Sequence, residues 1–192
     1  TGDAVPEYAL KVRSLASPQE NMGLFLSDEP IELPPDTYSF DVAINDMNYE
    51  FQFAINEGET NKDVQSRLMR LINNSNIGLR ASLTESDGRT SLRVVSENSG
   101  LSSGRSQIFG ISDDRTSKRA GAVDYFGLDY TSRGAANAQF LINGEEHSAS
   151  SNRFTIGNLF EIQLKGVNAE GESVQVGLKT DIESLTDNVT HL

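Results

Sequence analysis

The chain has 192 residues, 36% of them hydrophobic and 23% charged, a globular profile with room for one large domain or two small ones. Its formal net charge of −12 would set it against phosphate backbones and anionic headgroups, so nucleic acid and membrane surfaces are set aside as partners. The absence of cysteine excludes disulfides, thiol catalysis and zinc–thiolate sites, and no apolar run approaches the roughly 18 to 20 residues of a bilayer crossing.

Apolar residues alternate and turn signals recur, which predicts strands. Tyr8, Leu10 and Val12 alternate with Ala9, Lys11 and Arg13 in a first strand ending near Leu15. The stretch from Ser17 to Asp36, rich in Pro, Asp and Glu, is expected to be a loop. Its Pro34-Pro35 pair lacks two backbone donors and so marks a domain boundary. Tyr38–Ile44 and Tyr49–Ile55 alternate with period two around Asn45-Asp46-Met47-Asn48, predicting a hairpin with Tyr49, Phe51 and Phe53 on one face. Thr60-Asn61-Lys62-Asp63 resembles a capping box. Val64, Leu68, Leu71 and Ile72 then follow at helical spacing, and Asn73, Asn74 and Gly78 are expected to end the helix. Leu79–Glu85 and Thr90–Ser96 form the next pair of strands across Ser86-Asp87-Gly88-Arg89. The span from Tyr38 to Ser96 thus reads as a ββαββ module.

Ser99–Ser106 reads as a loop, Ile108–Ile111 as a short strand, and the stretch around Val123 and Phe126 as one turn of helix. Ala138, Phe140 and Ile142 alternate into Asn143-Gly144, a strong two-residue hairpin turn. Strands follow at Phe154–Ile156, Phe160–Lys165 and Ser173–Lys179, the last two expected to pair across Asn168-Ala169-Glu170-Gly171. Thr180 and Glu183 form a second capping box ahead of Ile182, Leu185 and Val189. A helix of so few turns is marginal alone, so the chain is expected to be a fragment of a longer protein. The fold class is therefore α+β, mainly β. Two small domains of antiparallel strands are expected: a base of residues 1–36 with 130–192, and an inserted module of 37–129.

Chemistry was sought residue by residue. The two histidines are His147 and His191. His147 follows Glu145-Glu146, a trio that could in principle hold a metal, but a polar run after a hairpin turn is the plainer account. The acidic pairs Asp28-Glu29, Asp113-Asp114 and Glu145-Glu146 read as solvated surface, because general acid–base work needs carboxylates converging in a cleft. No calcium loop, dinucleotide fingerprint or phosphate loop occurs, and Ser86-Asp87-Gly88 and Asn56-Glu57-Gly58 read as turns. Asn73-Asn74-Ser75 and Asn188-Val189-Thr190 match the glycosylation pattern by chance. Tyr38, Phe40, Tyr49, Phe51 and Phe53 could make a sugar-binding platform, yet aromatics on alternating strand positions belong to a core. No catalytic, cofactor-binding or metal-binding residue is assigned, and no enzyme activity or cofactor is expected.

Tyr8-Ala9-Leu10-Lys11-Val12-Arg13-Ser14-Leu15-Ala16 with Gln19 resembles the Y-x-x-x-V-x-x-L-A-x-x-Q segment of the flagellar filament cap family (hook-associated protein 2). Ala136–Gly144 resembles that family's A-x-x-A-x-F-x-I-N-G strand and turn. Ser151–Ile156 with Ile162-Gln163-Leu164-Lys165 is similar to the stretch that follows it, and Val174-Gln175-Val176 with Asp181 resembles the start of its C-terminal helix. The segments keep the family's order and cover about the first twenty and last sixty residues. The middle module is loosely similar through its Thr60–Ile72 helix and Gly78–Ala81.

The resemblance implies the middle domains of a structural protein of the bacterial flagellum. Such caps sit outside the cell at the filament tip and guide flagellin into place. They contact flagellin and other axial proteins, and some touch host mucus. They assemble as homo-oligomeric rings through terminal coiled-coil helices; by itself the present segment could be monomeric. A cysteine-free protein suits export through a narrow channel. Two related alternatives remain, a hook–filament junction protein and the variable domain of a flagellin. One alternative comes from another class, a secreted adhesin or carbohydrate-binding module.

Overall fold

The computed structural model describes residues 7–114, 116–156, 160–169 and 171–177. In chain order the elements are β1 (Glu7–Ser14), β2 (Pro18–Met22), β3 (Leu26–Ser27), β4 (Asp36–Ile44), β5 (Met47–Ile55), α1 (Asn61–Ser75), β6 (Leu79–Ser86), β7 (Arg89–Ser99), β8 (Phe109–Asp113), α2 (Ala122–Phe126), β9 (Thr131–Arg133), β10 (Ala138–Ile142), β11 (Glu145–Ala149), β12 (Arg153–Ile156), β13 (Phe160–Gln163) and β14 (Val174–Gly177). The fold is α+β and mainly antiparallel β. The Thr180 capping box, the helix after it and His191 lie outside the described residues.

The protein divides into two compact units. One comprises residues 1–17, 99–105 and 135–192, the other 18–98 and 106–134. The first passage between them falls at Ser17–Pro18, ahead of Pro34-Pro35. The reason is that β2 and β3 are strands of the second unit, where a loop was expected. β2 lies between β7 and β9, and β3 pairs with β7 through Leu26↔Thr90. The carbonyl of Pro34 has its own use, accepting the Tyr38 hydroxyl at 2.6 Å.

In the first unit a four-stranded sheet runs β11-β10-β1-β14, and β12 pairs with β13. β1 is antiparallel to both its neighbours, with Val12 opposite Phe140 and Leu10 opposite Val174. Residue 7 therefore pairs with residue 177, so the two distant ends of the described residues are adjacent strands. The expected pairing of the last two strands is overturned: β13 takes β12 as partner and β14 takes β1. Leu10, Val12, Phe140, Ile156, Phe160 and Ile162 bury one core shared by both sheets. Phe140 stacks on Phe154 at 4.4 Å between ring centres. A side chain of this size contributes about 1.5 to 3 kcal/mol when fully buried.

The second unit holds the ββαββ sequence as expected. β4 and β5 pair along their full nine residues. Their turn is Asn45-Asp46, with φ of 55° and 61°, the left-handed pair that suits the twist of a two-residue hairpin. β8 adds to the far edge of β4. Tyr38, Phe40, Phe51 and Phe53 point inward and are buried; Tyr49 is half-buried. These aromatics form a core, and the four buried rings present no platform for a sugar.

The capping box is complete. Thr60 Oγ1 accepts from the Asp63 amide, and the Asp63 carboxylate accepts from the Thr60 amide at 3.0 Å. Val64, Leu68 and Ile72 then bury one face of α1. The helix runs to Ser75 and is capped within the expected 73–78 stretch by Asn76, whose φ of 55° turns the backbone left-handed. Asn73 stays helical and instead bonds Ala81 twice, donating to its carbonyl at 2.9 Å and accepting from its amide at 2.7 Å. Gly23 marks a tight backbone crossing in the second unit. A Cβ there would sit 2.6 Å from the Phe126 carbonyl oxygen, so any larger residue must push two backbone segments apart.

Leu68→Ala should lower unfolding stability by about 2 to 5 kcal/mol through lost transfer energy and an unfilled cavity. Thr60→Ala should cost about 1 kcal/mol by stripping one cap. Urea denaturation of the two variants checks both the order and the sizes.

Candidate functional site

Polar side chains in the first unit converge on the backbone of β1 and of Ala16 just after it. Three asparagines hold it by paired bonds. Asn143 Oδ1 accepts the Ala9 amide at 2.8 Å while the Asn143 amide donates to the Ala9 carbonyl at 2.9 Å. Asn168 does the same at Val12, at 2.6 and 3.0 Å. Asn152 uses both ends of its carboxamide on Ala16, at 2.6 and 3.1 Å. The placement has a reason. β14 leaves β1 at Leu10, and β10 ends at Ile142 opposite Leu10, so the backbone groups beyond these points need other partners. A carboxamide offers the same donor and acceptor as a strand neighbour.

In the second unit the same device joins β2 to β8. Gln19 is buried at 1% exposure, a cost that only full hydrogen bonding offsets. Its Oε1 accepts from the Ile108 and Phe109 amides at 2.7 and 3.2 Å. Its Nε2 donates to the Phe109 carbonyl at 2.9 Å and to Asn21 Oδ1 at 3.1 Å. Asn21 in turn donates to the Leu128 carbonyl and accepts from the Thr131 hydroxyl. Beside them Glu20 meets Arg93 at 2.6 Å and accepts from Ser132 at 2.9 Å. Burial alone would raise the Glu20 carboxyl, but the bonds to Arg93 and Ser132 and the charges of Arg93 and Arg133 outweigh it and hold the group below its ordinary value.

The residues weighed for chemistry do not gather. His147 lies on β11 with its ring stacked on Phe140 and its Nε2 3.9 Å from Glu145; neighbouring Glu146 alternates to the opposite face of the strand. Asp113 and Asp114 differ from the solvated pair expected. Asp113 accepts from the amides of Gly121 and Val123 at the start of α2. Asp114 is nearly buried, and bonds from the Thr116 hydroxyl and amide, then from Glu50, pull its carboxyl down to about 2. Asp28 and Glu29 flank a turn against α1, where the Glu29 carbonyl accepts from the Asn61 amide. Among the described residues no three His, Asp or Glu side chains are arranged to hold a metal. A shallow polar hollow of about 260 Å³ is lined by Asn21, Ala43, Gln107, Gly110, Ile111, Ser112, Asp129 and Thr131. Asp129 is the one ionisable group in that lining, so the hollow offers no acid–base pair.

What this arrangement can do is hold shape. It also leaves Leu24, Phe25 and Tyr130 exposed in the second unit, near one another because the Met22 amide donates to the Tyr130 carbonyl and the Leu24 amide to the Phe126 carbonyl. Sequence reasoning missed Asn152, Asn168 and the Glu20–Arg93 pair as structural residues.

No family profile matches, and no curated protein sequence does. Solved structures do. The D2–D3 domains of the flagellar cap protein FliD from Escherichia coli superpose with a TM-score of 0.65 at 19% identity, over 93% of this chain and 92% of that one. The same domains from Serratia marcescens give 0.63 at 18% identity, over 92% and 95%. FliD (HAP2) from Pseudomonas aeruginosa gives 0.60 at 16% identity, over 100% and 87%.

This protein has the FliD D2–D3 fold. Within the FliD fold the phrases picked out in the sequence acquire physical jobs. Gln19, the last letter of the first phrase, is the buried link to β8. Asn143 and Asn152, from the two later phrases, clamp Ala9 in β1 and Ala16 just after it.

Gln19→Ala would strand the Ile108 and Phe109 amides and should cost about 3 kcal/mol, against about 0.5 kcal/mol or less for an exposed polar-to-Ala control. The Glu20 contribution should be fully present above its ordinary value of 4.5 and disappear as pH falls below it toward the depressed native value. Stability measured against pH should lose that acid limb in Glu20→Gln, while an unchanged limb would show that another carboxylate supplies it.

Proposed function

We propose that this protein is the middle-domain portion of a flagellar filament cap, a structural protein of the bacterial flagellum that works outside the cell by shape and protein contact. The observation that carries the proposal is the superposition of over nine-tenths of its length on FliD D2–D3 domains that are themselves covered by more than nine-tenths. The ordered phrases at the two ends of the sequence support it, because they map onto the residues that close β1 between β10 and β14. On this proposal the base is built from both ends of the sequence and carries the α+β module as an insertion. The complete protein forms a homo-oligomeric ring through helices beyond this segment. It holds newly exported flagellin at the tip, and it has no enzymatic role and uses no cofactor.

A second role in adhesion is favoured by one observation, the exposure of Phe25 and Tyr130 at 37% and 65% in the second unit. Exposed aromatic faces suit sugar rings and apolar partner surfaces alike.

The decisive experiment is removal of the gene that encodes this segment from its own bacterium. The expected result is loss of filaments with flagellin released as free subunits into the medium, restored by the full-length gene. Normal filaments in the deletion strain would refute the cap assignment. Glycan-array binding by the purified segment that disappears in Tyr130→Ala would establish the adhesive role, and a blank array would remove it.

A further inference from the structure

The hairpin turn between β10 and β11 carries the single Asn-Gly dipeptide of the sequence, Asn143-Gly144. Asparagine followed by glycine is the arrangement most open to internal attack, because glycine leaves its own amide nitrogen unshielded. Here the shielding is minimal: a Cβ placed on Gly144 would meet nothing within 4 Å, and Gly144 is exposed. The turn holds left-handed backbone at both positions, with φ of 51° and 83°. Against this exposure stands the clamp on Ala9. Its amide fixes Asn143 Oδ1 at 2.8 Å, and its carbonyl fixes the Asn143 amide at 2.9 Å, so Asn143 Cγ cannot swing toward the Gly144 nitrogen while both bonds last.

We propose that Asn143 is a self-modification site whose rate is set by opening of the Ala9 clamp. The Gly144 amide nitrogen bonds to Asn143 Cγ and gives up its proton, and the bond between Cγ and Nδ2 breaks to release ammonia. The resulting succinimide takes up one water at either carbonyl. One outcome is aspartate; the other is isoaspartate, which places an additional methylene in the backbone. Aspartate keeps an acceptor for the Ala9 amide. Isoaspartate lengthens a two-residue turn and removes the clamp. Either product adds a negative charge beside Glu145 and Glu146.

Loss of one or both bonds, at about 1 kcal/mol each, corresponds to an open fraction roughly 5 to 30 times smaller than in a free peptide. The test incubates the folded protein and a peptide of residues 139–149 together in mildly alkaline buffer and follows each asparagine by peptide mass spectrometry. Asn143 should be the first asparagine of the folded protein to convert, at a rate about 5 to 30 times below that of the peptide. In the isoaspartate form, hydrogen exchange at the Ala9 amide should accelerate, a change that a modification indifferent to the clamp would not produce. Equal rates in protein and peptide overturn the proposal. So does earlier conversion at another asparagine, or an intact Asn143 after a wait of roughly a hundred peptide half-lives, well beyond the protection two such bonds supply.

Discussion

The first unit depends on β1 being paired along both edges by strands that arrive more than 120 residues later in the sequence. A strand with two neighbours leaves no backbone group to water, so any gap in its ladder must be filled or its burial costs free energy. The gaps fall at Ala9, Val12 and Ala16, where β10 and β14 run out, and asparagine side chains fill them. Asparagine suits the task because its short stem sets a carboxamide oxygen against the neighbouring N–H; the donor is the main-chain amide in Asn143 and Asn168 and the carboxamide nitrogen in Asn152. The apolar core of Leu10, Val12, Phe140 and Phe160 supplies the driving force, and the asparagines decide the register.

The second unit solves a related problem with glutamine. β2 carries Gln19, Glu20 and Asn21 into the interior, three polar residues in a row. Each is fully engaged: Gln19 with the backbone at the start of β8, Glu20 with Arg93 and Ser132, Asn21 with the Leu128 carbonyl and Thr131. Such a network specifies its partners more sharply than apolar packing does, because every misplaced neighbour leaves a desolvated donor or acceptor behind.

Local pattern made the hairpins legible. β4–β5, β6–β7 and β10–β11 each combine alternation with a turn that tolerates positive φ, and the Thr60 box announced α1. The strands that escaped notice were β2, β3 and β9. Pro18-Gln19-Glu20-Asn21 reads as loop because polarity is the usual mark of exposure, and here hydrogen bonding reverses that rule. The pairing of β13 was misread for another reason. Alternation announces a strand without naming its partner, and the partner of β14 lies at the other end of the sequence. Among the clamps, Asn143 stood out as a turn residue and Asn152 within a family phrase. Asn168 carried no signal beyond its place in a loop, since its acceptor role exists only after β1 has arrived. Asp113 and Asp114 looked alike in sequence and diverged because one faces the start of α2 and the other faces Thr116.

β11 borders the four-stranded sheet as its outer strand, and among the described residues no strand pairs with its far side. Open strand edges invite further strands, and natural sheets discourage them with charge. β11 spells Glu145-Glu146-His147-Ser148, and all four residues are exposed. A second molecule adding its own β11 there would bring like charges to within cross-strand distance, so this border resists fibre-like stacking even where many copies of the protein are crowded together.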